Sequence, residues 1–388
     1  MNDHLDGLTE RDLEILDLIH KKGPVTKNDL IGQLNLKLTT LNRSMKLLEN
    51  KKLIVESGIS TSTGGRKPAE YDVVQEGIYT IGVDISRTYV QIVVMTLKLR
   101  VLKKYRFEMD DEMTPQKCID WISDAIKLIT AQLSIQYEML LGLGIGTVGP
   151  MDRENGILLH PQGFPNSAWE DDVPLKGLLQ EATGLPCEID NGANTAVLSE
   201  YLFGSGRDHQ SVAYIHCGVG IRSAVIRDGM VIRTMNDSED AFAHMTIDIN
   251  GVACRCGSKG CLENYVSLEA ILSQFCSMTG EDVGYKELFA RAAGGDETAI
   301  SIFKKSACVL GVGISNLSKL MNPDLIILSG PLVSNYEPYY SACISSFREQ
   351  NSKISGPVFS KEGLFKEDVV SIGAGLMVLE QHFNLKGR

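Results

Sequence analysis

The sequence has no apolar run that approaches the roughly 18–20 residues of a membrane-spanning helix. Its first residues, MNDHLDGLTERD, are polar and acidic, and they lack the apolar core of a secretion signal. With 388 residues, 43% hydrophobic and 22% charged, the chain has the length and composition of a soluble protein of two or three domains. These features predict a cytoplasmic protein with no membrane partner.

Positive charge is also scarce over the whole chain. Lys and Arg number 38 against 49 Asp and Glu, and the net charge of −11 argues against indiscriminate nucleic-acid binding. The scarcity is uneven, however, because residues 21–67 contain ten Lys and Arg but only three acids, a local charge of +7. Such a basic segment indicates either a nucleic-acid surface or an ordinary solvated helical face.

The first seventy residues have the pattern of a small DNA-binding unit. Apolar residues at helical spacing, interrupted at Gly23-Pro24 and at residues 35–37, predict three helices, and two short strands, LIVES and YDVV, follow them. This order is that of a winged helix-turn-helix, whose third helix enters the major groove of DNA. A helical module that docks another protein is the alternative. We expect this head to span residues 1–74.

The predicted DNA-contacting residues lie on the third helix and on the loop GGRKP. If Leu41, Met45 and Leu48 face the core, polar side chains on the other side meet DNA, where hydroxyls bond bases or phosphates and cations contact the backbone. The loop is then a wing that reaches a minor groove or phosphates. The predicted set is Lys37, Thr39, Thr40, Arg43, Ser44 and Lys46 on the helix, with Arg66 and Lys67 on the wing.

From Tyr79 onward the sequence alternates strands and helices, as an α/β protein does. A strand–turn–strand unit, YTIGVDISRTYVQIVVMTL, has a similar counterpart in SVAYIHCGVGIRSAVIRDGMVI at residues 211–232. Two such units, each followed by α/β material, predict two related lobes that face each other across a ligand-binding cleft.

Four further segments occur in the order found in one protein family: GLGIGTVGPMDRENGILL, IDNGANTAVLSEYLFGSG, AHMTIDINGVACRCGSKGCLE and NPDLIILSG. Through them the chain resembles the ROK family (repressors, open reading frames and kinases) over nearly its whole length, and GGRKP resembles the repressor branch, which includes xylose repressors. The resemblance implies an actin-like, ribonuclease-H-like duplicated body that assembles as a homodimer or a tetramer. We expect the body to span 75–388, with lobe I at about 75–190 plus 369–388 and lobe II at about 191–368.

Three of the nine cysteines lie within eight residues, whereas the other six are scattered singly. With a nearby histidine they have the spacing His-x9-Cys-x-Cys-x4-Cys, at His244, Cys254, Cys256 and Cys261. Three thiolates and one imidazole form a closed tetrahedral zinc site with no open position for catalysis, and the ROK resemblance also places Zn²⁺ there. The alternative is a group of reduced, buried cysteines beside a core histidine. A structural zinc ion would fix the loop that carries His244 and Glu263 against the cleft.

The resemblance also places a catalytic aspartate in an Asn-Asp-Ala-Asn stretch of ROK kinases. This chain has Gly192 at that position, and Asp190 lies about 6–7 Å away along a strand, too far to replace it. Both phosphate loops also depart from the kinase pattern, because Arg87 and Arg222 stand where the family has glycine-rich turns. We therefore predict that the protein is not an enzyme.

The residues that would contact a sugar are only partly those of the family. Asn191, His244 and Glu263 match positions that contact sugar hydroxyls, but the glutamate three residues before the histidine is Ala241 here. Its loss removes a charged hydrogen bond of about 1.5–3 kcal/mol. Arg222 suggests an anionic effector such as a sugar phosphate, and we include it in the predicted effector site.

These features predict a transcriptional regulator, a repressor of carbohydrate-metabolism genes that binds double-stranded operator DNA as a homo-oligomer. A sugar or sugar derivative in the cleft would change lobe closure and the spacing of the DNA-binding heads. One alternative is a ROK-type, ATP-dependent sugar kinase with an accessory DNA-binding domain. Another is a regulator controlled by a partner protein, with a vestigial cleft.

Overall fold

The computed structural model describes most of the chain. The described residues are 5–59, 68–161, 163–233, 241–352 and 356–383. They form an N-terminal head and two α/β lobes that share one sheet topology.

The head consists of three helices and a three-stranded antiparallel sheet of order β1-β3-β2. Its elements are α1 (Glu10–Lys22), β1 (Val25–Thr26), α2 (Lys27–Leu34), α3 (Leu38–Asn50), β2 (Ile54–Ile59) and β3 (Ala69–Val73). Capping boxes formed by Thr9 with Asp12 and by Thr26 with Asp29 fix the starts of α1 and α2. The predicted winged helix-turn-helix is confirmed, and β1 is an additional two-residue strand.

The core of the head is built as the helical spacing predicts. Leu41, Met45 and Leu48 of α3 are at most 1% exposed and pack with Leu16 and Leu30 of the other two helices. This packing turns the other side of α3 toward solvent.

The first lobe has a five-stranded sheet of order β10-β7-β4-β5-β6. The strands are β4 (Tyr79–Ile85), β5 (Tyr89–Thr96), β6 (Val101–Glu108), β7 (Leu140–Thr147) and β10 (Cys187–Asn191). Helices α4 (Pro115–Leu133) and α5 (Leu175–Thr183) contribute to the apolar core on one face of this sheet, and α13 (Val369–Phe383) packs on β4 and β7. A short hairpin of β8 (Met151–Asp152) and β9 (Ile157–Leu158) precedes α5.

The second lobe repeats this plan with a sheet of order β13-β12-β11-β14-β15. Its strands are β11 (Ser211–Cys217), β12 (Ile221–Arg227), β13 (Met230–Ile232), β14 (Leu325–Ser329) and β15 (Val358–Lys361). Its helices are α6 (Gly192–Phe203), α7 (Glu263–Val266), α8 (Leu268–Thr279), α9 (Tyr285–Ala293), α10 (Glu297–Met321), α11 (Pro331–Ser334) and α12 (Glu337–Gln350). In each sheet three antiparallel strands are extended by two parallel ones, which confirms the predicted duplicated body.

Helix α10 is long and apolar enough to cross a membrane by length and composition. In this fold it packs along α12 and contacts α8, and eleven of its residues are buried in the second lobe. Its apolar character is therefore explained by its position in a protein core.

Two helices, α6 and α13, pack against each other at the junction of the lobes. At Gly373 of α13 an added Cβ would lie only 1.9 Å from the carbonyl oxygen of Thr195 in α6, so the two backbones touch there. Glycines also let α13 approach the first sheet, because a Cβ on Gly82 or Gly144 would overlap its backbone. The close packing couples the two lobes through this helix pair.

The head is joined to the body by buried contacts of α1. The ring of His20 is fully buried, forms a 2.6 Å hydrogen bond to the carbonyl oxygen of Leu97, and packs against Phe203 of α6 and Phe383 of α13. Beside it, Lys21 forms a 2.8 Å ion pair with Glu380 of α13. The head therefore rests on the ends of the two helices that join the lobes.

Candidate effector cavity, metal cluster and DNA-contacting surface

A cluster of four side chains that could hold a metal ion lies in the loop before α7. One ligand atom from each of His244, Cys254, Cys256 and Cys261 lies within 4.8 Å of all the others. Cys254 Sγ is 3.6 Å from His244 Nδ1, and the thiols of Cys256 and Cys261 are also 3.6 Å apart. A tetrahedral zinc ion with bonds of about 2.0–2.3 Å needs its ligand atoms roughly 3.3–3.8 Å apart, so the donor set and its spacing fit such an ion.

The loop can close around this small volume because two glycines adopt left-handed backbone conformations. Gly257 has φ of 89° and Gly260 has φ of 65°, and a Cβ on Gly260 would overlap the carbonyl oxygen of Asp248. The last cysteine of the cluster, Cys261, lies two residues before Glu263, the first residue of α7. The cluster therefore directly precedes the start of α7.

A cavity of about 190 Å³ lies next to the cluster, between the two lobes. The four residues predicted to bind an effector, Asn191, Arg222, His244 and Glu263, all line it. They come from the end of β10, from β12, from the loop that carries the Cys/His cluster and from α7, so only the tertiary fold brings them together.

Within the cavity the carboxylate of Glu263 is 6% exposed and already bound by protein groups. Arg255 Nη2 lies 2.9 Å from its Oε2, and the backbone N–H of Ile221 donates a 3.3 Å hydrogen bond to its Oε1. Arg255 therefore compensates the charge of the one acid that lines the cavity among the described residues.

Asn191 and Gly192 mark the start of α6 at the cavity. The side chain of Asn191 caps the helix by accepting a 2.9 Å hydrogen bond from the N–H of Ala193. Arg222 Nη1 lies 3.1 Å from the point where a Cβ on residue 192 would stand. The absence of a side chain at Gly192 leaves this space to a guanidinium group.

Asp190 does not take the place of a catalytic carboxylate at position 192, because other protein groups bind it. Its Oδ2 lies 2.6 Å from Arg233 Nη2, and its Oδ1 accepts a 2.8 Å hydrogen bond from the side-chain amide of Asn194. Both carboxylate oxygens are therefore directed at protein groups.

Arg87 and Arg222 stand between the small cavity and a larger cleft of about 760 Å³, since both line the two spaces. Arg87 occupies the turn between β4 and β5, and its Nη1 would be only 2.6 Å from a Cβ on Gly220, in the opposite turn of the second lobe. Burial, together with the neighbouring Arg255 and Arg222, lowers the pKa of Arg87 to about 10. The group still carries its charge near neutral pH.

A buried carboxylate lies beneath this pair of arginines. Asp84 of β4 is fully buried, and its Oδ2 accepts a 2.7 Å hydrogen bond from the hydroxyl of Tyr89. Burial raises the pKa of Asp84 above its ordinary value, while Arg222 acts in the opposite direction. Arg222 thus lies close to a group of the first lobe although it belongs to the second.

On the head, five of the six predicted helix residues are exposed in or just before α3: Lys37, Thr39, Thr40, Arg43 and Lys46. The prediction that Ser44 faces outward is wrong, because this residue is 6% exposed and its side chain hydrogen-bonds Asp12 of α1. The heptad-like spacing placed Ser44 near the boundary of the buried stripe, and its small hydroxyl fits the α1–α3 contact. The predicted wing residues Arg66 and Lys67 lie outside the described residues.

With this geometry established, family models assign the two parts of the chain. The model of the ROK family matches residues 80–371, well over half of the chain, and a model described as winged helix-turn-helix DNA-binding matches residues 8–55. The chain belongs to the ROK family.

ROK relatives of this chain include both repressors and kinases. The xylose repressor of Bacillus subtilis (strain 168) is 27% identical over 350 residues, which cover 90% of this chain and 87% of that protein. The glucokinase of Thermotoga maritima is 29% identical over 264 residues, which cover 64% of this chain and 81% of that protein. A solved ROK family transcriptional regulator, described as a homologue of the E. coli MLC protein, has a TM-score of 0.76 at 22% identity and covers 96% of both chains.

The relatives differ in how much of this chain they match. An overlap of 90% or 96% has to contain part of the head, because the head is more than a tenth of the chain. The glucokinase overlap of 64% is shorter than the body alone. The similarity to the xylose repressor and to the solved regulator therefore extends into the head.

Two residues with ionisable side chains at the cavity of this ROK protein were not predicted from the sequence. Arg255, between two cysteines of the cluster, and His160, after β9, both line the small cavity. Arg255 had a detectable signal, since the short spacing of Cys254 and Cys256 places the residue between them close to the cleft. His160 directly follows the segment GLGIGTVGPMDRENGILL, but nothing in that segment's pattern indicates that the next side chain lines the cavity.

Proposed function

We propose that this chain is a DNA-binding transcriptional regulator, a repressor of carbohydrate-metabolism genes, and that its inter-lobe cavity senses a sugar or a sugar derivative. The observation that carries the proposal is the pairing of Gly192 with Arg222. A cation fills the space beside residue 192 in a chain that also has a winged helix-turn-helix head. The regulator acts without catalysing a reaction.

The absence of kinase activity is supported by the chemistry of the cavity. Phosphoryl transfer to a hydroxyl needs a carboxylate base near the sugar and loops that cradle phosphates with backbone amides. Gly192 offers no base, Asp190 is bound by Arg233, and the side chains of Arg87 and Arg222 lie between the two cavities. The cavity keeps residues for holding a sugar and lacks those for acting on it.

The proposed operator contact uses the exposed side of α3. Thr39, Thr40 and Arg43 lie there, where hydroxyls and a guanidinium can reach base edges and phosphates of the major groove. The head of residues 1–74 and the body of residues 75–388 work as one subunit of a homodimer or a tetramer. Two heads then contact the two half-sites of an operator, in the cytoplasm.

The proposed signal passes through the helix pair that joins the lobes. Helix α6 begins at the cavity with Asn191 as its cap and ends at Phe203, which packs against His20 of the head. Helix α13 begins at the large cleft and ends at Phe383, on the same histidine. A ligand that changes lobe closure moves these helices and with them the heads, as population-shift models require.

In this proposal the metal cluster holds structural Zn²⁺. The closed set of three cysteines and one histidine leaves no open coordination position, which supports a structural ion over a catalytic one. The ion would fix His244 and Glu263 at the cavity wall, so metal binding and effector binding are coupled.

One experiment tests the proposed DNA-contacting surface. A DNA fragment from upstream of the gene is titrated with the protein in a gel-shift assay, and Arg43→Ala and Arg66→Ala are compared with Arg11→Ala, a matched charge removal on α1. We expect the first two variants to bind at least about tenfold more weakly and the control to bind like the parent. Equal binding by all four proteins would reject the proposed DNA surface.

A regulator controlled by a partner protein is the second candidate, and Ala241 is the observation that favours it. Without the family's glutamate at this position, a neutral sugar loses a charged hydrogen bond. If sugars leave DNA binding unchanged in the same gel-shift assay while the parent still binds DNA, this second candidate replaces sugar sensing.

A further inference from the structure

A second group of side chains with metal-ligating atoms lies where the head meets the body. Asp17 and His20 are one turn apart on α1, and Glu380 is on α13. One donor atom of each residue lies within 4.8 Å of those of the other two. We call these three residues the junction site. They share no member with the Cys/His cluster, and sequence spacing could not indicate them because α1 and α13 lie at opposite ends of the chain.

The imidazole of His20 is arranged as in a metal ligand. The residue is 0% exposed, and its Nε2 is 2.6 Å from the carbonyl oxygen of Leu97. A carbonyl oxygen only accepts hydrogen bonds, so Nε2 carries the proton and Nδ1 presents a lone pair. Burial lowers the pKa of His20 to about 3, which keeps Nδ1 unprotonated at neutral pH. Metal-bound histidines usually donate their other N–H to a carbonyl or a carboxylate in this way.

The lone pair of His20 is not used by the protein. Nδ1 is buried and has no hydrogen-bond partner among the described residues, and a buried acceptor is costly to leave in this state. A proton donor or a cation would satisfy it. The carboxylates of Asp17 and Glu380, which belong to the same group, favour a cation over a neutral donor.

In this structure the two carboxylates hold the ammonium of Lys21. Its Nζ is 2.8 Å from Asp17 Oδ1 and 2.8 Å from Glu380 Oε2. One ammonium balances only one of the two negative charges. The next cation, Lys98, is already paired with Asp72 at 2.7 Å. The side chain of Lys21 is 20% exposed, so it can turn toward solvent and yield the carboxylates to another ion.

We propose that Asp17, His20 and Glu380 form a binding site for a divalent transition-metal ion that joins the head to the body. One imidazole nitrogen and two carboxylate oxygens suit such an ion, and it would balance both negative charges. Bonds of about 2.0–2.2 Å reach three atoms with this spacing after small rotations of the carboxylates. Lys21 competes with the ion for the carboxylates. The site lies outside the effector cavity and does not depend on sugar sensing.

Titration of the full-length, zinc-loaded protein with Mn²⁺, followed by the electron paramagnetic resonance of the free ion, tests the junction site. Mn²⁺ disfavours thiolate ligands, so it does not report on the Cys/His cluster. We expect one Mn²⁺ per chain, bound at least about tenfold more tightly than Mg²⁺ or Ca²⁺, which prefer oxygen ligands alone. The melting temperature should rise with Mn²⁺ concentration, because only the folded chain brings α1 and α13 together.

Variants assign the binding to these residues. Asp17→Asn and Glu380→Gln should each weaken Mn²⁺ binding at least about tenfold, and His20→Phe should abolish the preference for Mn²⁺ over Mg²⁺. Lys21→Met removes the competing ammonium and should strengthen Mn²⁺ binding several-fold, to about tenfold. Glu14→Gln, which changes an exposed acid of α1, is the matched control and should bind Mn²⁺ like the parent. Circular dichroism establishes that each variant is folded.

The proposal is overturned if Mn²⁺ binds no more tightly than Mg²⁺, which includes a titration without any binding. It is also overturned if Asp17→Asn and Glu380→Gln bind Mn²⁺ like the parent, because the ion would then lie elsewhere on the chain. Lys21→Met keeps the test decisive if a carboxylate variant is unfolded: unchanged Mn²⁺ affinity in that protein contradicts a site shared between the lysine and the metal.

Discussion

At the scale of single residues, the contact between Gly192 and Arg222 is central to the proposed absence of phosphoryl transfer. The guanidinium lies against the glycine, and Arg87 approaches Gly220 from the opposite loop. A carboxylate introduced at residue 192 alone would therefore leave Arg87, Arg222 and both altered loops in place. The proposed loss of catalysis is therefore distributed over several positions.

We predict that Gly192→Asp does not create a kinase. The new carboxylate would form an ion pair with Arg222, and such a pair holds the carboxylate in its charged form and lowers its ability to accept a proton. ADP release with ATP and a panel of hexoses and pentoses should stay at the level of the protein-free control. Sugar-dependent ADP formation above that background would show that residue 192 alone had prevented catalysis.

The two hydroxyl residues Ser44 and Thr40 of α3 are predicted to behave differently. Burial acts to raise the pKa of Asp12, but hydrogen bonds from the side chains of Ser44 and Thr9 hold it below its usual value. Ser44→Ala should therefore lower the free energy of unfolding of the head by about 1 kcal/mol and leave DNA affinity unchanged. Thr40→Ala should leave stability unchanged and weaken DNA binding about fivefold.

Urea unfolding and fluorescence anisotropy with labelled DNA measure these two quantities separately. A variant of the buried Ser44 that weakened DNA binding without a change in stability would contradict the position described for it.

At the scale of elements, the contact of α1 with α6 and α13 predicts a pH dependence. Burial lowers the pKa of His20 to about 3, with smaller contributions in the same direction from Lys98 and Lys21, whereas the hydrogen bond to Leu97 opposes them. The unfolded chain binds this proton below about pH 6.5. The contribution of the neutral, buried His20 to the free energy of unfolding is therefore complete above pH 6.5. It is lost as the pH falls toward 3.

Replacing His20 by Phe should remove this proton from the linkage. The slope of unfolding free energy against pH between 6 and 4 should decrease by up to about 1.4 kcal/mol per pH unit. His216, whose pKa burial also lowers to about 3, contributes in the same way in both proteins and cancels in the comparison. Parallel slopes for parent and variant in urea titrations would contradict the buried, neutral state of His20.

Local sequence patterns predicted the elements well because their signals are local. The helices of the head, the two hairpins and the Cys-rich loop all follow from spacing, caps and turn residues. The two-residue strand β1 was missed, since it exists only by pairing with β3. The burial of Ser44 was missed because a residue at the edge of a helical stripe is placed by its neighbours on another helix.

The sequence predicted which residues line the cavity, but it did not predict how their side chains are arranged around it. Asn191, His244, Glu263 and Arg222 could be named from motifs, and the fold places all four around one cavity. The contact between Arg222 and the empty position beside Gly192 depends on how two lobes pack, which no spacing in the sequence contains. The burial of His20 between head and body is of the same kind.

At the scale of the whole molecule, the metal cluster is predicted to support the cavity. Cys256→Ser should lose the one zinc ion per chain, lower the melting temperature by about 5 °C or more and abolish effector binding, because the start of α7 is no longer fixed. Cys276→Ser, outside the cluster, is the control and should retain the metal. Metal content by mass spectrometry and thermal melts measure both effects, and a Cys256 variant that binds effector normally would contradict the supporting role.

As a whole, the proposed molecule is a kinase-like body that senses a ligand and transmits its binding to DNA-binding heads. The most direct measurement follows DNA release and ADP formation in the same samples. Labelled upstream DNA, full-length protein and ATP are titrated with a panel of neutral and anionic sugars, and anisotropy and ADP are recorded together. The account predicts saturable release of DNA by at least one sugar and no ADP above background. ADP formation at enzymatic rates, or DNA binding that no sugar alters, would contradict it.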